Sequence, residues 1–330
     1  MATKWGFSKG LHELGEGCWA YVQPDGGWGW SNAGLIVDGD ESLLVDTLFD
    51  LKLTAEMLKT MRDAAPAARR IGTLVNTHIN GDHTFGNQLV AGAKIVTSRK
   101  VGDLLAKDGP EMLQTVMADP GAYGAAGRFM AECFGSFDFS GIVLPPADQT
   151  FEGSLELKVG GKSVRLIDLG PAHTSSDTVA WVPEDRAVYT GDLLFVGGHP
   201  AIWAGPVSNW VKACNTILAW DIDTIVPGHG PICNKAELRE FRDYLEYLIG
   251  EARRRYDSGM SWEAAAFDIG FGKWEAWGDA ERTIINMFTL WREFSGQRQE
   301  VDRMELWAGM ARYAERRRAK RQCADPAHKH

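Results

Sequence analysis

Cysteine is scarce in this chain. There are five in 330 residues (Cys18, Cys133, Cys214, Cys233 and Cys323), an odd number with no Cys-x-x-Cys pair. That excludes a disulfide framework and reads as reduced, intracellular usage. No apolar run approaches the roughly 20 residues that span a bilayer. The opening ten residues also lack the apolar core of a signal peptide. The expectation from these absences is a cytoplasmic protein with no membrane partner. Positive charge is short as well: 35 Lys and Arg stand against 44 Asp and Glu, a formal net charge of −9. This argues against nucleic acid as a partner, because phosphate binding needs a basic face. The basic run Arg316–Arg318 with Lys320 and Arg321 reads instead as a solvated helix end favoured by the helix dipole. Internal repeats and low-complexity segments are missing too.

Histidine is also sparse, and it is concentrated. Of eight, His328 and His330 fall at the extreme C-terminus, and four of the other six join one pattern. Asn76-Thr77-His78-Ile79-Asn80-Gly81-Asp82-His83 follows an apolar strand-like run. His173 follows Gly170-Pro171-Ala172, Asp192 follows Thr190-Gly191, and His229 lies in Pro227-Gly228-His229-Gly230. Imidazole and carboxylate are the usual ligands of a catalytic divalent metal. The Gly- and Pro-rich settings suggest loops that end strands, and Gly81 suits a turn that needs φ above zero.

Residues 17–23, 32–38, 42–47, 72–77 and 94–98 read as strands, with helical spacing over 50–66 and a short helix around 84–91. Leu155–Val159 with Val164–Leu169, and Val179–Val182 with Ala187–Thr190, read as hairpins. Residues 99–137 are helix-prone and interrupted by Gly-Ala-Tyr-Gly-Ala-Ala-Gly at 121–127. They form either an inserted lid or plain outer-layer helices. After His229 the chain turns helical, over 235–258, 261–268 and 279–320.

The metal pattern resembles that of the metallo-β-lactamase superfamily, H-x-H-x-D-H followed by H, D and H, over about residues 10 to 235. The Thr-Gly-Asp and Pro-Gly-His-Gly contexts match as well. The resemblance implies an α/β fold, the αββα sandwich of that family. A catalytic domain would cover 1–235, with a helical insertion at about 99–137 and a C-terminal helical region over 236–330. It also implies that His78, position 80 and His173 hold one metal, that Asp82, His83 and His229 hold a second, and that Asp192 bridges them. A metal-bound hydroxide would then be the nucleophile, with Asp82 orienting it. Zinc is the expected ion, one or two per chain. One ligand departs from the pattern: Asn80 stands where a second histidine is usual, and a neutral amide is the poorer zinc ligand. The first site is therefore expected to be the looser one. Iron or manganese, which accept oxygen ligands more readily, stays open.

Around this centre the sequence offers further candidates. Trp28 and Trp30 lie on a glycine-rich connection that in the family overhangs the metals, a setting for clamping a flat or apolar substrate. His199, in a Gly-rich loop after Asp192, is a candidate substrate ligand or general acid. Trp203 and Trp210 are candidate pocket walls. Cys233 has no base partner visible, and Ser175 and Ser176 have no histidine free to activate them. Asp177 reads as a turn residue or a partner that orients a ligand.

The leading expectation is a metallo-hydrolase acting on an ester-like bond (thioester, lactone or ester) of a small, aromatic substrate. The segment Gly198–Trp210 is similar to a subgroup of bacterial hydrolases of that family, some of which act as thioesterase/cyclases in aromatic polyketide pathways. The alternatives are an iron-dependent oxidoreductase on the same fold and a β-lactamase-like amide hydrolase. The C-terminal helices are the expected surface for any homodimer.

Overall fold

The computed structural model describes residues 6–105, 107–297 and 300–324. His328 and His330 lie outside the described residues, as does the Cys323 side chain. Two sheets face each other. The first runs β1 (Gly10–Gly15), β2 (Cys18–Val22), β3 (Ala33–Asp38), β4 (Glu41–Val45), β5 (Thr73–Val75), β6 (Lys94–Ser98) and β7 (Gln149–Phe151), each beside the next. It is antiparallel from β1 to β4 and parallel from β4 to β7. The second has the order β12-β11-β10-β9-β8, built from β8 (Ser154–Val159), β9 (Lys162–Asp168), β10 (Thr178–Val182), β11 (Ala187–Phe195) and β12 (Thr224–His229). Only β11 and β12 pair in parallel there.

The strands alternate as a sandwich requires. Ile36, Leu43, Val45, Val75 and Val96 of the first sheet meet Val164, Leu166, Ala180, Val182 and Val226 of the second in one buried core. The opposite face of the first sheet is covered by α1 (Leu51–Ala64). Its Thr54, Met57, Leu58 and Met61 recur at helical spacing and are buried. Asp50 caps its start by accepting from Leu53 N at 2.7 Å. The outer face of the second sheet is covered by α6 (Val207–Ala219) and α7 (Lys235–Asp257), the latter opened by an Asn234/Glu237 capping box. Beyond them α8 (Trp262–Asp268), α9 (Thr283–Ser295) and α10 (Arg303–Ala324) extend the same core. Among the described residues no helix is long and apolar enough to cross a membrane.

Several expectations need correction. The helix at the metal loop, α2 (Gly81–Thr84), begins before 84 and carries Asp82 and His83 within it. Gly81 is needed there for space rather than for a positive φ, since a Cβ would sit 2.5 Å from the Phe85 ring. The glycine-rich stretch at 121–127 does not break the insertion throughout. After α3 (Arg99–Leu105) and α4 (Glu111–Ala118), α5 (Gly124–Phe134) starts inside it. The helix over 279–320 divides at Gly296, whose left-handed φ of 65° ends α9. Strand β1 and helix α6 were not expected at all.

Candidate metal centre

The ligand residues reach one end of the sandwich because the strands that deliver them stop there. Val45 and Val75 end the paired parallel strands β4 and β5, which lead into Asp46 and the Asn76–His83 loop. On the other sheet Asp192 lies on β11, and Phe195 pairs with His229 at the end of β12. His173 comes from the connection between β9 and β10. Small residues let these backbones close. A Cβ on Gly228 would sit 2.0 Å from Asp192 Oδ1, and one on Gly191, at φ 50°, would sit 2.4 Å from Thr77 Oγ1. This is the physical content of the Thr-Gly-Asp and Pro-Gly-His settings seen in the sequence.

Four imidazoles and two carboxylates converge there, all buried. Asp192 is central. Its Oδ1 lies 3.0 Å from His83 Nε2, and its Oδ2 lies 3.2 Å from His173 Nε2, 3.4 Å from His229 Nε2 and 3.8 Å from His78 Nε2. Asp82 Oδ2 lies 3.3 Å from His229 Nε2 and 3.9 Å from His83 Nε2.

Each ring is fixed from behind by its other nitrogen. His173 Nδ1 donates to Ala201 O at 2.6 Å, and His229 Nδ1 donates to Gly26 O at 3.1 Å. His83 Nδ1 donates to Asp46 Oδ2 at 2.9 Å. The Thr77 hydroxyl donates to the same Asp46 oxygen at 2.7 Å, so it accepts from His78 Nδ1 at 3.0 Å. A carbonyl or a carboxylate can only accept. All four rings therefore carry a proton on Nδ1, and Nε2 is the atom each turns inward and the one a metal would take.

A divalent cation fits these residues. His78 Nε2 is buried without a hydrogen-bond partner, and His83 Nε2 and Asp192 Oδ1 have only each other, 3.0 Å apart, a costly arrangement unless something charged sits among them. Two groups bring their ligand atoms within 4.8 Å of one another: His78, His83 and Asp192, and Asp82, His83 and His229. Asn80 stands at the rim, and its Nδ2 donates to His173 Nε2 at 2.9 Å. That bond uses the lone pair His173 would offer a metal, so the amide competes at the first site.

The charges are strongly coupled. Burial alone would lower His83 and His229, but Asp192 and Asp82 outweigh it, holding His83 well above its usual value and His229 at about 9. Burial would likewise raise Asp192, yet His229, His83, His78 and His173 hold it well below the carboxylate range. Asp82 is lowered too: burial opposes this, but His83 and His229 prevail. His78 and His173 are pushed down, chiefly by burial.

A cavity of about 630 Å³ opens above the centre, with Asn80, Asp82, His173, Asp192 and His229 in its floor. Phe49, Phe85, Trp28 and Trp203 form part of its wall, α3 to α5 add Leu104, Met112, Leu113, Met130 and Phe134, and the C-terminal region adds Arg282, Met304 and Trp307. The inserted helices thus face the metal centre.

Three residues expected at the pocket, His199, Trp30 and Trp210, are elsewhere. His199 is fully buried, shares a hydrogen bond between Nδ1 and the Tyr244 hydroxyl at 2.7 Å and packs with its ring centroid 4.2 Å from that of Phe271. Burial, then Arg317 and Arg282, push it down to about 3, so it stays neutral. Its loop was expected at the pocket because it follows Asp192, but α7 and the Phe271 loop enclose it. Trp30 packs on Phe137 at 4.7 Å and lines a second cavity, of about 470 Å³, instead of the first. Trp210 lies under His173, donating to Leu193 O at 3.0 Å. Asp177 holds the His173 turn, accepting from Ala172 N and Thr174 N, and burial raises it to about 7.

Four inward-turned imidazoles and a central carboxylate, at the strand ends of a helix-covered double sheet, define a metal-centre protein of the αββα class. A model of the Metallo-beta-lactamase superfamily matches residues 26–229, and the chain belongs to that superfamily. Helices α7 to α10 lie beyond the matched segment.

Among curated proteins, the chain is 24% identical over 203 residues to the 2,4-dinitroanisole O-demethylase subunit alpha of Nocardioides sp. strain JS1661, covering 59% of this chain and 51% of that protein. It is 26% identical over 157 residues to the hydroxyacylglutathione hydrolase of Methylococcus capsulatus, covering 48% and 47%. The chain thus spans about half the length of these curated relatives. Among solved structures, the sec-alkylsulfatase Pisa1 from Pseudomonas sp. superposes with a TM-score of 0.65 at 15% identity, over 87% of this chain and 50% of that one. A metallo-beta-lactamase from Pontibacter korlensis superposes at 0.53 and 18% identity, over 72% and 98%.

Proposed function

We propose that the chain is a metal-dependent hydrolase, zinc being the favoured ion, that opens a thioester, lactone or ester bond of a small aromatic or apolar substrate. The observation that carries this reading is the set of inward-turned Nε2 and carboxylate atoms under a cavity walled by aromatic rings. His78, His83, His173, His229, Asp82 and Asp192 would hold the metal. When bound, it would bring the pKa of water toward neutrality and polarise the carbonyl under attack. Asp82 lines the cavity and is kept ionised by His83 and His229. It is placed to orient the attacking water and accept its proton. The rings of Trp28, Trp203 and Trp307 enclose the apolar part of the substrate and exclude bulk water.

The similarity to a hydroxyacylglutathione hydrolase supports a thioester, and that to an O-demethylase supports testing an aryl ether beside it. The test is elemental analysis of protein purified without added metal or chelator, followed by a panel of aryl thioesters, lactones, aryl methyl ethers and alkyl sulfates. One or two zinc per chain with thioester or lactone turnover is the expected result. Predominant iron with oxygen-dependent turnover would replace this reading with the oxidoreductase one.

A further inference from the structure

Trp28 lines both the 630 Å³ cavity over the metal centre and the neighbouring 470 Å³ cavity. Its indole is the partition between them, and it is held on three sides. Nε1 donates to Glu281 Oε1 at 2.8 Å, the Arg282 guanidinium lies 4.2 Å from the ring centroid, and Trp307 packs at 5.1 Å. Arg282 is 2% exposed and itself anchored, through His199 O at 2.9 Å and Asp279 at 3.2 Å. A cation over an indole face is attractive, the more so when desolvated. All three clamps come from residues beyond the family-matched segment, whereas Trp28 lies within it.

We propose that Trp28 is a specificity-determining residue: clamped by Glu281, Arg282 and Trp307, it closes the inner end of the substrate chamber and limits the length of the apolar chain admitted. The ligand class is an aryl-terminated or alkyl acyl group, seated against rings and ending at the indole. With the indole removed, the space it vacates lengthens the chamber toward the second cavity, whose own lining is largely charged (Asp25, Glu132, Asp279, Glu281, Arg317 and Arg318). This rests on reading the metal-floored cavity as the substrate chamber.

The test reads binding rather than turnover. Wild type, Trp28→Ala and Trp28→Phe, each checked for equal metal content and an intact melt, are titrated calorimetrically with ω-phenylalkanoates of rising chain length. In wild type affinity should rise about fourfold per methylene, as expected for full burial of each CH₂, and then stop rising at a fixed length. In Trp28→Ala the rise should continue for at least two further methylenes. Trp28→Phe keeps a ring in the partition and should shift the limit less, and it serves if the alanine variant does not fold. An unchanged limit in both variants, or no chain-length dependence in wild type, overturns the proposal. A wild type that shows the limit yet hydrolyses no member of the substrate panel sinks the hydrolase reading and leaves the partition standing.

Discussion

Replacing Asp46 by Asn should damage the metal centre without touching a ligand. Asp46 accepts three bonds: Oδ1 from Thr77 N at 2.7 Å, and Oδ2 from the Thr77 hydroxyl at 2.7 Å and from His83 Nδ1 at 2.9 Å. Asparagine offers one oxygen. If that oxygen keeps the backbone bond to Thr77, an NH₂ group faces His83 Nδ1. The ring can meet it only as an acceptor, which moves its proton to Nε2, toward Asp192 Oδ1 at 3.0 Å. His83 belongs to both metal-competent groups, so both lose a lone pair. The same NH₂ group also faces the Thr77 hydroxyl that orients His78. Loss of such an orienting partner typically costs 10- to 100-fold in metal affinity, about 1.4 to 2.8 kcal/mol, and the double role of His83 places this variant at the upper end. Asn tolerates the left-handed φ of 62° at this position, so the backbone is not a confounding cause. The assay is competition for zinc against a chromophoric chelator, with a melt of the metal-free protein as the fold control. Affinity within twofold of wild type would refute the tautomer argument.

Three other outcomes are expected. Asp192→Ala removes the carboxylate facing all four imidazoles and should abolish both metal retention on gel filtration and turnover; retained activity would sink the proposed mechanism. Asn80→His replaces the amide that occupies His173 Nε2 and should raise metal stoichiometry and affinity at the first site; unchanged elemental analysis and affinity would mean that position 80 does not govern loading. In the metal-free protein His83 and His229 are raised above their unfolded values. The stability His229 contributes is full below about pH 6.5 and is lost as pH rises through about 9, and His83 contributes with the same sign. Urea unfolding in chelator should therefore weaken between pH 6.5 and 9, and a flat profile there would contradict the coupling.

Much of the centre can be read from the sequence because its ligands fall in four short Gly- and Pro-marked segments, although Asp192 and His229 lie on strands and Asp82 and His83 on a helix rather than in the loops those settings suggested. The turn chemistry that closes the backbone is the same chemistry that marks the text. Asp46 is not read there. It looks like any acidic residue ending an apolar strand, and its partners Thr77 and His83 lie more than 30 positions away. Arg282 and Trp307 leave no signal either, since each is one charged or aromatic residue in a helical region rich in both. His199 illustrates the reverse error. Nearness in sequence to Asp192 suggested nearness to the pocket, but Tyr244 and Phe271, brought in by tertiary packing, decide where it sits. Strand β1 and helix α6 escaped notice because alternation in a six-residue edge strand is faint, and because no helical period was read over 207–219 after the Gly-rich loop around His199.

The chamber is assembled from distant parts of the chain: its floor from Asn80 to His229, its walls from Leu104 to Phe134 and from Arg282 to Trp307. Reactivity and selection are therefore separately editable. An exchange of the inserted helices would re-shape what is admitted while leaving the ligand set intact, whereas Arg282, Asn286 and Thr289 also hold the 199–202 loop whose Ala201 carbonyl orients His173. Grafting the inserted helices onto a sister sandwich should therefore change what its chamber admits.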